Sequence, residues 1–233
     1  HHRGARSDNA EAQRLIDRAI EADPNFAVAH AWKCCILGQA WERGFGEFDK
    51  LFPIALTALE KAIALDPNDI EANRVSCEAF MDERKLDDAR RHNDLAYRKN
   101  PNDPRIVAQR GELLTWSGQA KEGGEWIRAA MRLDPFESHA RAHLLGRALY
   151  LMGSFREAAD AYAANPQPRS GRRAEYAAAL AMAGELTEAG KQAAEVLRAN
   201  PSFKAANYAQ SLPFARLEDR EALTEGLKRA GFD

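Results

Sequence analysis

Prolines recur along this chain at a fixed interval, and that interval constrains the fold more than any other feature. Pro67, Pro101 and Pro135 are separated by 34 residues each, and Pro168 and Pro201 by 33. Pro24 and Pro67 lie 43 apart, which is 34 plus a nine-residue insertion. The residues leading into the prolines match as well: Ala-Asp-Pro at Pro24, Leu-Asp-Pro at Pro67 and Pro135, Asn-Pro at Pro101 and Pro201. Proline cannot continue a helix, and it pushes the residue before it out of the helical region. One such stop per period describes a helix-turn-helix repeat, in which each unit buries its apolar face on its neighbours.

Small residues keep the same period. Ten positions after three of the prolines stand Cys34, Cys77 and Gly111, and three positions beyond the last two come the bulky Phe80 and Leu114. Twelve positions before the next proline stand Ala55, Ala89 and Gly123, and seven further on Ala62, Ala96 and Ala130. Small residues at fixed offsets let paired helices approach closely while the bulky ones fill the remaining space. The register predicts helix pairs over 26–41 and 51–64, 69–82 and 86–98, 103–117 and 120–132, 137–152 and 155–163, and 171–183 and 186–198. Residues 9–22 read as the second helix of a partial unit. Gly153 and Gly184 end first helices. The turn-rich stretch 164–172 reads as an exposed loop after a shortened second helix, carrying the basic cluster Arg169, Arg172 and Arg173. Residues 203–210 predict a short helix broken at Pro213. Residues 217–230 then form an amphipathic helix, with acids early and bases late to suit its dipole.

Composition excludes several functions. A formal net charge of -2 lacks the electrostatic footprint for neutralising many phosphates, so nucleic acid is not an expected partner. No apolar run approaches the roughly 20 residues needed to cross a bilayer, and no secretory segment is visible. Three cysteines, two of them adjacent, make neither a disulfide framework nor a zinc site, and they fit a reducing cytoplasmic compartment. His1 and His2 suggest nothing beyond a tag remnant or a native terminus. The sequence carries no phosphate-binding loop, nucleophile elbow or H-E-x-x-H motif. No catalytic residue, metal ligand or cofactor is therefore expected. His139 and His143, four apart on a helix, lack further ligands nearby and read as a half-exposed surface pair.

Over nearly the whole chain this pattern resembles the tetratricopeptide repeat (TPR), whose period is 34 residues. The resemblance implies an all-α fold: a TPR superhelical solenoid of antiparallel helix pairs, a single domain over 1–233 with about five pairs and a C-terminal capping helix at 217–230. More specific runs are "LDPNDIEAN", "WERGFGEF", "RLDPFESHARAHLLGRALYLMGSFREA" and the ending "SLPFARLEDREALTEGLKRAGF". They resemble the C-terminal TPR region of bacterial class III adenylate/guanylate cyclases and of related multidomain signalling regulators. In the tail, Leu212-Pro213-Phe214, Asp219-Arg220, Gly226-Leu227 and Ala230-Gly231 carry the likeness. It implies a regulatory or docking portion of a larger protein, with any cyclase activity in a domain outside this chain.

In TPR proteins the first helices line a concave groove. Carried onto this register, the groove positions are Glu71, Arg74, Glu78, Met81 and Asp82, then Arg105, Glu112 and Trp116, then His143, Arg147 and Tyr150. Such a surface suits a protein or peptide ligand anchored on aromatic residues, or a cognate signalling domain. Trp116 and Tyr150 have a second use at this spacing, packing against a neighbouring unit. Glu78 and Glu112 stand where clamps for a chaperone's C-terminal carboxylate need other side chains, so that partner is not expected. The insertion at 42–50 brings Phe45 and Phe48 beside Trp41 and Phe52, either capping the edge of the first unit or docking a partner or a second copy. Three functions follow: a non-catalytic protein-interaction module in a cyclase-type signalling polypeptide, a small-molecule-sensing regulatory domain, and a stand-alone TPR scaffold.

Overall fold

A computed structural model describes residues 5–165 and 170–233. Among them it shows thirteen helices and no strand. The helices are α1 (Arg6–Ala22), α2 (Ala27–Glu42), α3 (Phe48–Leu65), α4 (Ile70–Asp82), α5 (Leu86–Lys99), α6 (Pro104–Trp116), α7 (Ala120–Leu133), α8 (Ser138–Leu151), α9 (Phe155–Ala163), α10 (Ser170–Met182), α11 (Leu186–Ala199), α12 (Ala205–Ser211) and α13 (Leu217–Arg229). They pack into two compact units, His1–Phe80 with Asp87–Pro101, and Met81–Leu86 with Asn102–Asp233.

In the first unit the small residues close the helix pairs. Ala31, Ala62 and Ala72 are fully buried and pack together, and Ala89, Ala96 and Cys77 are equally inaccessible. Asn9, Asn73 and His92, which enter this core, find hydrogen-bond partners there. Asn9 donates to the Ile36 carbonyl at 3.0 Å. Asn73 donates to the carbonyls of Pro67 and Asp69, and its own oxygen meets His92 Nδ1 at 2.8 Å. The His92 ring stacks on Phe80, with centroids 5.2 Å apart. Burial lowers its basicity, so it sits there neutral.

α3 begins three residues earlier than the register predicts, and part of the insertion is therefore helix. Pro53 lies inside the helix and removes a backbone donor. Offsetting this, the additional turn places Phe48 and Phe52 one turn apart, stacked at 4.8 Å, with Trp41 edge-on to both. Arg6 stands over the Phe45 ring at 5.7 Å. The aromatic cluster is thus largely self-packed, with Phe48 still 45% exposed.

The second unit holds the pairs α6–α7, α8–α9 and α10–α11, followed by α12 and α13. Gly111 and Gly123 meet where α6 crosses α7, and a methyl on either would strike the other's carbonyl oxygen at 2.6 Å. Gly146 faces the Tyr162 ring just as closely. One core runs from Leu149 and Tyr150 through the alanines of α10 to Leu223, Leu227 and Phe232. The basic cluster assigned to a loop is placed differently: Arg172 and Arg173 lie in the first turn of α10, and Arg169 is outside the described residues. α10 starts at Ser170, one residue before its predicted start.

First helices end on a left-handed residue. Gly118, Gly153 and Gly184 take φ of 83°, 79° and 88° two positions past α6, α8 and α10, where glycine carries no Cβ penalty. After α4 the same position is Arg84, at φ 62°. An L-residue there costs about 1–2 kcal/mol, and glycine's extra chain entropy returns part of that. Arg84→Gly is expected to raise stability by about 0.5 kcal/mol, read as a higher urea midpoint at unchanged slope. A lower midpoint would mean that the Arg84 hydrogen bond to the Gln210 carbonyl outweighs the backbone strain.

Candidate functional site

The sequence places its candidate binding residues on first helices, and the structure confines most of them to two ion-pair networks and a covered aromatic face. In the first unit Arg74 forms a fork on Glu71, at 2.6 and 2.8 Å, and reaches Glu78 at 3.4 Å. Glu71 and Arg74 are buried, whereas Glu78 is exposed. Arg74 also lies 3.8 Å from Cys35 Sγ. Burial pushes the Cys34 and Cys35 thiols up to about 12 and about 11, so little thiolate exists at neutral pH and neither is a ready nucleophile.

Of the second unit's candidates, Asp82 is exposed and Met81 buried. Arg105 folds back on Asp103 at 2.7 Å, beside the N-cap bond that Asp103 accepts from the Arg105 amide. The main network centres on a residue absent from the sequence-derived set, Glu175 of α10. Its carboxylate is almost fully buried and takes a two-pronged contact from Arg147 of α8, at 2.8 and 3.0 Å. Tyr162 of α9 and Tyr208 of α12 donate to it at 2.6 and 2.7 Å. Arg147 also meets Glu112 of α6 at 3.3 Å and lies over the Trp116 ring, 4.2 Å from its centroid. Burial alone would favour a neutral Glu175, yet Arg147 and the two phenols hold its carboxyl below the ordinary range. Glu112 moves the other way: burial pushes its carboxyl up against the pull of Arg147. Four helices are tied at one buried charge.

Glu175 was legible in principle. It stands three residues before the small position of its helix, Ala178, as Arg74 does before Cys77 and His143 before Gly146. His143 is buried while His139 is exposed, so the two do not form the half-exposed pair that their spacing suggests.

Trp116 and Tyr150 lie beneath the chain's own C-terminal segment. Phe214 meets the Trp116 ring edge-on at 4.8 Å, and the Ala215 amide donates to the Trp116 carbonyl at 2.9 Å. The Tyr150 hydroxyl donates to the Ala222 carbonyl at 2.8 Å. Gly226 presses on that hydroxyl and on Ala178 so closely that a Cβ would collide with the first. Leu223 and Leu227 complete the buried stripe of α13. Residues 212–227 thus cross the first helices of three successive pairs, α6, α8 and α10. Residues 232 and 233 are fastened to the start of α12 and the residues before it, by Phe232 on Phe203, at 4.8 Å, and by the Ala205 amide on the Asp233 carbonyl.

Comparison with known proteins gives the fold its context. No family model matches the chain. A segment of 77 residues, 33% of the chain, is 35% identical to Hsp70-Hsp90 organizing protein 2 of Arabidopsis thaliana, and the match spans 14% of that protein's length. Among solved structures, PilW, a type IV pilus biogenesis factor, superposes with a TM-score of 0.61 at 16% identity, over 84% of this chain and 88% of that one. Pseudomonas aeruginosa PilF gives 0.57 at 15% identity, over 85% and 87%. A tetratricopeptide repeat protein from Parabacteroides merdae gives 0.51 at 12%, over 96% and 93%. Identities this low speak to architecture alone. Repeat length, paired helices and structural likeness agree: the chain has the all-α, helix-pair fold of the tetratricopeptide-repeat solenoid proteins.

Proposed function

We propose that this chain is a non-catalytic protein-interaction module that binds a polypeptide segment along its first helices. The observation that carries this reading is the C-terminal segment itself. The first-helix face of the second unit accommodates an extended strap and a helix through a ring contact, a main-chain hydrogen bond and a small-residue approach, the means by which grooves recognise peptides. The 35% identity to a segment of an Hsp70-Hsp90 organizing protein is in keeping with a protein ligand. The likeness of the tail to cyclase-associated repeats supports a finer assignment: a cytoplasmic regulatory or docking portion of a larger bacterial signalling protein of the adenylate/guanylate cyclase type.

The rival reading, a small-molecule sensor, differs in a simple measurement. A ligand bound only by the folded state raises the melting temperature, by an amount that grows with the logarithm of its concentration above Kd. A metabolite panel at millimolar concentration is expected to leave the melting temperature within about 1 °C, and a rise of several degrees that grows with the concentration of one metabolite would replace the protein-binding reading. For the finer assignment, deleting this segment from its full-length polypeptide is expected to change cyclic-nucleotide output. A polypeptide with no cyclase or signalling domain would overturn it.

A further inference from the structure

We propose that residues 212–230 are a displaceable internal ligand. In the resting chain they occupy the face that a partner's polypeptide takes, and that partner presents the same chemistry: an apolar-proline-aromatic strap running into an amphipathic helix with a small residue at its closest approach. The inference rests on the reading above that the first-helix face binds polypeptide.

Three observations carry it. First, the strap is held as a ligand is held. Leu212 is extended, at φ -76° and ψ 147°, Pro213 is buried, and the strap is anchored by a ring contact and a main-chain hydrogen bond on Trp116, by Leu212 and Phe214 resting on the edge of the core, and by Arg216 donating to the Gly118 carbonyl at 3.4 Å. Residues 215–218 are all exposed. Second, α13 offers the face a narrow stripe, Leu223, Gly226 and Leu227, and turns Glu221, Glu225, Lys228 and Arg229 to solvent. Acids in its first turn and bases in its last favour a helix that persists when undocked. Third, the docking is imperfect. Asp219 Oδ2 is buried with no hydrogen-bond donor, and Arg216 Nε stands 3.7 Å away, beyond hydrogen-bond distance. A buried acceptor without a donor opposes burial, so a partner segment lacking this carboxylate competes from a better position. Against these stands the fastening of Phe232 to Phe203, which keeps the released segment tethered. Tethering keeps the segment at high local concentration and makes its occupancy the default.

Two measurements on the full chain test this. Native-state hydrogen exchange is expected to show amides of 217–229 exchanging at least tenfold faster than those of α6, α8 and α10, because the segment opens on its own. Equal rates would overturn the proposal. Gly226→Leu drives a side chain into the Tyr150 hydroxyl and Ala178, and is expected to unseat α13 while the amides of α6 to α11 stay protected. A fluorescent synthetic peptide of residues 212–233 is then expected to bind this variant at least tenfold more tightly than the wild type, and adding Trp116→Ala is expected to abolish the gain. If Gly226→Leu instead strips protection from α6 to α11, α13 belongs to the cooperative core and the proposal fails. If α6 to α11 stay protected but the peptide binds no better than to the wild type, the face is not its site and the proposal also fails. A variant that binds a defined partner protein on this face but not the peptide would leave the protein-binding reading standing and remove this one.

Discussion

Glu175→Gln is expected to destabilise the second unit by about 3 kcal/mol, although it changes neither the size nor the shape of the side chain. Removing one member of a buried ion pair costs about 3–5 kcal/mol because the other charge stays buried without compensation. Here the stranded charge is Arg147, whose side chain is only 10% exposed. Glu112, 3.3 Å from the same guanidinium, takes up part of the loss, which places the expectation at the lower end of the range. Pairing Glu175→Gln with Arg147→Leu is expected to recover a large share, since an apolar replacement of a buried pair is often neutral. Urea denaturation of the single and double variants measures this, and additive losses would mean that the two side chains do not act as one network.

The same carboxylate sets a pH dependence. Its folded-state pKa lies below the unfolded value of about 4.3, so its stabilisation is fully present above that value and is lost as pH falls through the depressed folded pKa. Glu112, raised by burial, has the opposite sign: its folded state favours the proton, so it gives up stability as pH rises through its shifted pKa. The wild type is therefore expected to lose stability below about pH 4, and Glu175→Gln to lose less over the same interval. Identical acid slopes for the two proteins would show that the buried carboxylate is not the group titrating.

The second large effect is at the crossing of α6 and α7. On helix propensity alone Gly111→Ala stabilises by about 1 kcal/mol. Packing gives the opposite sign. The new methyl would lie 2.6 Å from the Gly123 carbonyl oxygen and 2.9 Å from the Ile127 amide nitrogen, and backbone atoms in a paired helix cannot rotate away. Overpacking of this kind costs about 1–3 kcal/mol, and a backbone contact this close places it toward the upper end, so that against the propensity gain the net expectation is a loss of about 1–2 kcal/mol. A stabilised variant would show that the small-residue period reflects composition rather than close helix approach.

Both effects bear on what the sequence made legible. Helix ends followed from proline spacing because a helix stop is a local event, set by one residue and its neighbour. The small positions followed because close approach recurs at every pair, and Ala89, Ala96, Gly111 and Gly123 are buried as the register requires. α3 started early for a reason that local rules miss: an aromatic stack one turn apart outweighed a proline in the helix. The binding face was harder to read. Glu71, Arg74, Met81, Trp116, His143, Arg147 and Tyr150 stand on first helices as the pattern has them, yet all seven are buried. In the second unit, burial of Trp116 and Tyr150 comes from a segment about 100 and 70 residues away along the chain, and periodicity carries no information about where such a segment returns. The amphipathic stripe of α13 showed that it packs on something, and Tyr208 showed nothing in advance of its bond to Glu175.

The proposed function requires the first helices to present a surface for polypeptide. Site-specific photocrosslinking in cells tests it most directly, with a photoreactive residue placed in turn at Glu78 and Glu112 on first helices and at Lys191 and Glu195 on α11. Adducts to a polypeptide, identified by mass spectrometry, are expected from 78 and from 112, with none from 191 or 195. Adducts to a polypeptide from 191 and 195 alone would contradict it.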